Sequence, residues 1–247
     1  MYLIKPPLRS FITSSIIAMF SGAASAATIS IDWYGTVGNG APTATQMGAA
    51  EVAGVEPVAN WNSFNGGTQS TPQSLINDSG FATGASVTWA SANIWDTNIA
   101  NTAGNFRMML AYLDTATSTS IIVANLPAAF AATGYDVYVY TDGDNTSEPR
   151  TATYTIGTTS ALSSDAAGNT FNGTFIQGAN YVRLANLTGT SFTLTATPTT
   201  WITTPRAATN GIQIVQIVPE PAASILTFGG ALSILAFRRR PRCENAA

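Results

Sequence analysis

Tyr135-Asp136-Val137-Tyr138-Val139-Tyr140 is the stretch from which the fold is read. Tyr135, Val137 and Val139 share one face of an extended chain; Asp136, Tyr138 and Tyr140 share the other. A period of two in a run bounded by turn residues is the mark of a strand. β-Branched and aromatic side chains also fit a pleated surface better than a helix, where they lose χ1 freedom. The run leads into Asp142-Gly143-Asp144-Asn145, residue types that tolerate the backbone of a turn. On this reading Tyr138 and Tyr140 look outward beside an acidic turn.

The same period recurs on both sides. Residues 151–156 form the next strand, with Ala152, Tyr154 and Ile156 inward, and Gly157-Thr158-Thr159 turns the chain. Strands are expected at 171–176, 181–184, 191–196 and 211–218. Upstream, Ile29, Ile31 and Trp33 alternate with Ser30, Asp32 and Tyr34. Short strands follow at 87–89 and 121–123, the second closed by Asn125-Leu126-Pro127. Residues 35–48 read as loop, 49–65 show no clean period, and 106–113 fit either a strand or a few helical turns. No amphipathic helix of three turns is visible. The pattern predicts an all-β protein, an antiparallel β-sandwich of jelly-roll type.

Composition narrows the function classes. Between Ala27 and Val218 there are four arginines, no lysine and eleven acids, a balance of −7. Nucleic acid is excluded as a partner, because phosphate binding needs clustered cations. The chain has no histidine, which removes Ser-His-Asp catalysis and histidine zinc sites. Its one cysteine, Cys243, lies in the C-terminal tail, so the central domain has neither disulfide nor thiol chemistry. A carboxylate pair of the glycosidase kind is the catalytic option left. Glu51 and Glu56 are five apart in an irregular segment, and Asp142 and Asp144 two apart in a turn. Neither pair has a flanking signature, and the chain is expected not to be an enzyme.

Two binding chemistries remain. Asp142, Asp144, Asn145 and Glu148 cluster oxygens of the kind Ca²⁺ takes. The other reading of those residues is a solvated hairpin turn. Trp61, Trp95 and Trp201 lie in loops among amides and acids, where an indole face could carry a sugar ring; Tyr138 and Tyr140 are equal candidates. Trp33 and Trp89 sit in strands and are expected in the core.

Both ends read as address labels. Residues 1–26 form a secretory leader: Lys5 and Arg9, an apolar stretch, then Ala24-Ser25-Ala26, with cleavage between Ala26 and Ala27. An uncleaved anchor is the alternative. Residues 218–247 hold Pro219-Glu220-Pro221, an uncharged run over 222–237, then Arg238, Arg239, Arg240 and Arg242. A helix of that run spans roughly 24 Å, short for a hydrocarbon core of about 30 Å yet usable with flanking groups. It is apolar all round, and the arginines fix its end in the cytoplasm. Pro219 and Pro221 break the chain into an extended segment. A plain C-terminal anchor is one reading of this layout.

The tail closely resembles the PEP-CTERM sorting signal of bacterial surface and exopolysaccharide-associated proteins, on Pro219-Glu220-Pro221, the short apolar helix and the arginine cluster, in that order. The resemblance implies processing by the membrane protease-transpeptidase exosortase, with Pro219, Glu220 and Pro221 as recognition segment. Such tails are sometimes described as an ice-binding C-terminal domain; nothing in these residues reads as an ice face. The strand patterning from Asn125-Leu126-Pro127 through Tyr140, with Asn210-Gly211-Ile212-Gln213-Ile214, is similar to galactose-binding-like β-sandwiches. That likeness implies a carbohydrate-binding module and supplies no binding residues. The expectation is a domain at 27–217 exported to the cell envelope, surface or extracellular matrix and associated with extracellular polysaccharide. Membrane contact comes through the C-terminal helix before processing.

Overall fold

A computed structural model describes residues 26–35, 44–144, 147–168, 170–199 and 205–219. The leader up to residue 25, the tail from Glu220 onward with its apolar run and arginines, Trp201 and Asn145 lie outside the described residues. Two sheets stack face to face. The first has five strands in the order β11 (Tyr181–Leu187), β8 (Tyr135–Tyr140), β13 (Gly211–Gln216), β1 (Thr28–Tyr34), β2 (Asn62–Asn65). The second has six, ordered β10 (Thr159–Asp165), β9 (Arg150–Ile156), β12 (Phe192–Pro198), β7 (Thr119–Ala124), β4 (Ala82–Ala90), β3 (Thr68–Ile76). A two-stranded ribbon, β5 (Asn93–Asp96) and β6 (Ala111–Asp114), stands apart. Pairing is antiparallel throughout except β1 with β2, which is parallel.

The core between the sheets follows from the alternation. Ile29, Ile31 and Trp33 of β1, Ile212 and Ile214 of β13, and Val137 and Val139 of β8 are all fully buried. They meet Val87, Trp89, Ile121, Val123, Tyr154 and Leu194 of the facing sheet. Trp33 stands edge-on to Trp89 at 6.1 Å, and Tyr135 meets Phe192 at 6.0 Å, arrangements that suit the ring quadrupole.

Three expectations are corrected. Residues 171–176 are not a strand; the strand lies earlier, at β10, and Phe171 and Phe175 instead fold back onto the five-stranded sheet. The ambiguous 106–113 stretch is both things: helix α1 (Asn105–Leu110) runs directly into β6. The third correction concerns the second face of β8. Asp136, Tyr138 and Tyr140 do share it, but it is no outer face: all six residues of β8 are buried. A second helix, α2 (Ala128–Thr133), caps Tyr135 with Phe130. Among the described residues no helix is long and apolar enough to cross a membrane.

That second face is covered by residues 44–61, by α1 and by Phe171 and Phe175, and it is largely polar. Gln213 is its hub. The Gln213 side-chain oxygen accepts from Tyr140 OH and from Glu56 N at 3.3 Å; its nitrogen donates to Glu56 O at 2.9 Å and Ser30 Oγ at 3.2 Å. Tyr140 OH also accepts from Val55 N at 2.7 Å. Residues 53–58 are thus tied to β8, β13 and β1 through one buried amide. Gly54 (φ 101°) makes the approach, since a Cβ there would lie 2.6 Å from the Gln213 side-chain carbonyl carbon. Replacing Gln213 by leucine leaves the Tyr140 hydroxyl and the Glu56 backbone without this partner in a dry site, at about 1–3 kcal/mol for each orphaned group. Urea unfolding of Gln213→Leu is therefore expected to show a lower midpoint at unchanged m-value, with a loss of about 3 kcal/mol.

Candidate functional site

The ribbon β5–β6 builds the best candidate site. Its register pairs Asn93 with Asp114 and Trp95 with Tyr112. Directly opposed residues project from the same face, and so do residues two apart on one strand. One face of the ribbon therefore presents an amide, a carboxylate, an indole and a phenol side by side. Ile94 and Leu113, on the opposite face, are buried and hold the ribbon to the core. An antiparallel bridge between Leu113 and Thr209 fixes β6 to the segment leading into β13.

Three side chains from elsewhere complete a cleft of about 280 Å³: Asp144 beyond β8, Arg150 at the start of β9, and Arg206 before β13. Arg206 Nε pairs with Asp114 Oδ1 at 3.0 Å. Arg150 Nη2 donates to the Asp144 carbonyl at 3.0 Å, Asp144 N donates to Tyr112 OH at 3.2 Å, and Trp95 Nε1 reaches Asp144 Oδ2 at 3.5 Å. Burial pushes the Asp114 carboxyl up, against the pull of Arg206 and Arg150. Burial likewise pushes the Tyr112 phenol above its ordinary range, so it keeps its proton. Two carboxylates and two guanidiniums balance, and the half-buried Trp95 supplies ring surface, with the buried Tyr112 behind it. Such a site offers hydroxyl-bonding groups of both polarities beside an aromatic.

Of the sequence candidates, Trp95 and Asp144 meet here. Trp61 does not: it is 5% exposed, packs on Tyr140 at 6.1 Å and donates from Nε1 to Val58 O at 3.1 Å. It does lie in a loop, just before β2, but its ring is core and offers no exposed platform. Tyr140 is fully buried, and Tyr138 is nearly so, with its hydroxyl on Glu56 at 3.3 Å and Arg183 5.7 Å above its ring. Neither tyrosine offers a platform. Trp33 and Trp89 lie in the core as expected. Ala26 and Ala27 are half-buried, and Pro219 is exposed.

The grouping of Asp142 with Asp144 is also taken apart. Asp144 faces the cleft. Asp142 is buried and turns inward, its Oδ2 accepting from Phe171 N at 3.2 Å beside the buried Asp165. Glu148 is half-buried. Among the described residues no three acidic, histidine or cysteine side chains converge as metal ligands.

Sequence reasoning missed Tyr112, Asp114, Arg150 and Arg206. Their signal was faint: two short alternating runs, 93–96 and 111–114, and the convergence of two of only four arginines in the central domain. No protein-family model matches this chain, and no curated protein or solved structure matches it either.

Two buried acids give a pH dependence. Asp32 is fully buried; desolvation pushes its carboxyl up to about 7, although Ser63 Oγ donates to it. Burial, then the adjacent Asp165, pushes Asp142 up as well. Both acids bind a proton more tightly folded than unfolded, where an aspartate titrates near 4. Their contribution is complete below about pH 4 and is lost as the pH climbs through about 7. The melting temperature is therefore expected to fall between pH 5 and pH 9. Asp142→Asn should flatten that fall, as differential scanning fluorimetry across the range will show.

Proposed function

We propose that the chain is a non-catalytic exported protein of the bacterial cell surface or extracellular matrix, delivered by the leader at 1–26 and the PEP-CTERM tail at 218–247, whose sandwich presents the Trp95 cleft to glycans. The observation that carries this reading is where the two flanks and the cleft lie. Thr28 pairs with Val215 and Gln216 with Tyr135, so β1 starts and β13 ends at one end of the five-stranded sheet. Tyr140 pairs with Gly211 at the other end, and the cleft residues Asp144 and Arg206 lie just beyond it. Six residues of strand, about 20 Å, separate the two ends. A domain held at the membrane by its tail would present the cleft away from the bilayer.

Exosortase is the processing partner on this reading, and extracellular polysaccharide the surrounding material. Direct glycan affinity, as in a jelly-roll carbohydrate-binding module, is supported by the cleft itself: ring surface flanked by an amide, carboxylates and guanidiniums is how sugar rings are held. The engagement of Asp114 by Arg206 and of Asp144 by Trp95 supports binding over acid–base chemistry.

Intact mass of the protein recovered from its host tests the sorting reading. The expected mass starts at Ala27 and ends near Glu220; a mass retaining Arg242 would reject C-terminal processing. Titration with soluble oligosaccharides tests the cleft: Trp95→Ala is expected to weaken binding at least tenfold, about 1.4 kcal/mol, while leaving the melting temperature within a degree or two. Affinity unchanged by that substitution would reject the cleft as the binding site.

A further inference from the structure

The outer face of the six-stranded sheet is a surface that the cleft does not use. Cross-strand register sets Ser160, Thr155, Thr195, Ser120, Ala90 and Thr68 in one unbroken rank across all six strands. Thr153 pairs with Thr197 in the next rank, and Thr193 with Ile122 in the one before. Outward positions on these strands carry serine, threonine, alanine, isoleucine and leucine, and no charged side chain. Soluble sheets usually put lysine and glutamate there.

We propose that this face is a second binding surface, for an extended neutral polysaccharide lying across the strands along that rank. Most of the hydroxyls are available. Thr68, at the β3 end of the rank, donates to Ser91 O at 2.9 Å, whereas no side-chain hydrogen bond engages Thr153, Thr155, Thr193, Thr195 or Thr197 among the described residues. Strands lie about 4.8 Å apart, so the rank repeats a small polar or methyl group at that pitch over roughly 24 Å. That pitch is comparable with one pyranose unit of an extended chain. The rank runs through a groove of about 250 Å³ formed by Thr68, Gln69, Thr88, Ala90, Ser120 and Ile122. Ile122, 45% exposed, offers apolar contact to the C–H face of a ring.

The occupant is neutral because the face has no cation to offset an acidic polymer, and the central domain's balance of −7 repels one. It is a chain rather than a rigid plane because neighbouring strands rotate by about 20–25°. A crystalline surface, ice included, would touch only a few strands, whereas a flexible polymer follows the twist. A second copy of this protein fits poorly: Ile122 on β7 and Leu162 on β10 are separated by two strands, β12 and β9, with no continuous apolar patch between them. Weak contacts repeated along one polymer add as linked binding events.

The test uses the full chain in detergent with three insoluble neutral polymers (amorphous cellulose, β-1,3-glucan and mannan) and with alginate gel. Retention is expected on at least one neutral polymer and not on alginate. The double substitution Thr155→Lys with Thr195→Lys should lower the retained fraction at least tenfold. Thr155→Val with Thr195→Val, which preserves the branched shape and removes only the hydroxyls, should lower it several-fold. Thr158→Lys, in the β9–β10 turn, should leave it unchanged; the loss caused by the valine pair should persist in a Trp95→Ala background, which separates the face from the cleft. Retention on none of the neutral polymers, or equal retention on alginate, overturns the proposal. So does retention indifferent to the valine pair, which decides the matter should the lysine pair unfold. Thermal hysteresis on freezing, or a concentration-dependent dimer, that the lysine pair abolishes would assign the face to ice or to self-association instead.

Discussion

Strands at the centre of the five-stranded sheet are buried on both faces, and the chain must find partners for the polar groups it places there, of which Asp32 Oδ2 is left without one. Ser30, Asp32, Asp136, Tyr138, Tyr140 and Gln213 all lie on the face turned away from the inter-sheet core. Orphaned, each would cost about 1–3 kcal/mol. The solution is to wrap residues 44–61 over them, with Gln213 and Tyr140 as the clasp. The consequences propagate to the cleft. Asn210, three residues before Gln213, accepts from Asp142 N at 2.7 Å and donates to Met109 O at 2.8 Å. One amide thereby fixes the loop beyond β8, the end of α1 and the start of β13. Those elements position Asp144, the ribbon β5–β6 and Arg206. Two further ion pairs, Arg107 with Glu51 and Arg183 with Asp136, pin the same cover and the sheet edge.

Alternation was legible wherever one face of a strand is apolar and the other polar. Residues 135–140 and the inward Ala152, Tyr154 and Ile156 of β9 read correctly for that reason. β3 could not be read, because Thr68–Ile76 buries only Leu75, contains Pro72 and lies at a sheet edge with an irregular register. Residues 171–176 misled in the opposite sense. Phe171 and Phe175 bury aromatic rings, Phe175 against Tyr140 at 5.1 Å, as a plug that needs no ladder hydrogen bonds. Trp61 does lie in a loop, but its neighbours Asn60 and Asn62 made its ring look solvent-facing. In fact Asn62 points its amide into the fold, bonding Ser30 O and Ile76 O, each at 2.9 Å. The cleft was half visible: Trp95 and Asp144 carry a local signature, while Tyr112, Asp114, Arg150 and Arg206 are brought to them only by tertiary structure.

Scarcity of charge gives the surface its character. Of four arginines in the central domain, Arg107 and Arg183 brace the structure and Arg150 and Arg206 line the cleft. Solubility then falls to hydroxyls and amides, and the largest sheet face becomes an uncharged array of threonine and serine. A neutral hydroxylated surface discriminates by spacing and shape, since it has no long-range field with which to attract or reject a neutral partner. The cleft differs, because fixed guanidinium and carboxylate groups can orient individual hydroxyls. One molecule therefore carries a charged cleft and an extended uncharged face, surfaces of opposite electrostatic character.

The arrangement of the chain ends joins these features. β1 and β13 are hydrogen-bonded neighbours, and Ala27 O accepts from Gln216 N at 3.0 Å, so the sheet closes without the flanks. Among the described residues, no strand and no member of the hydrophobic core lies before Ala27 or after Val218. Were the order of elements different, with the first strand's start or the last strand's end at the cleft end, the flanks would leave the fold beside the cleft residues. The pairing of the first strand with the last thus places Ala27 and Val218 about one strand length from the cleft.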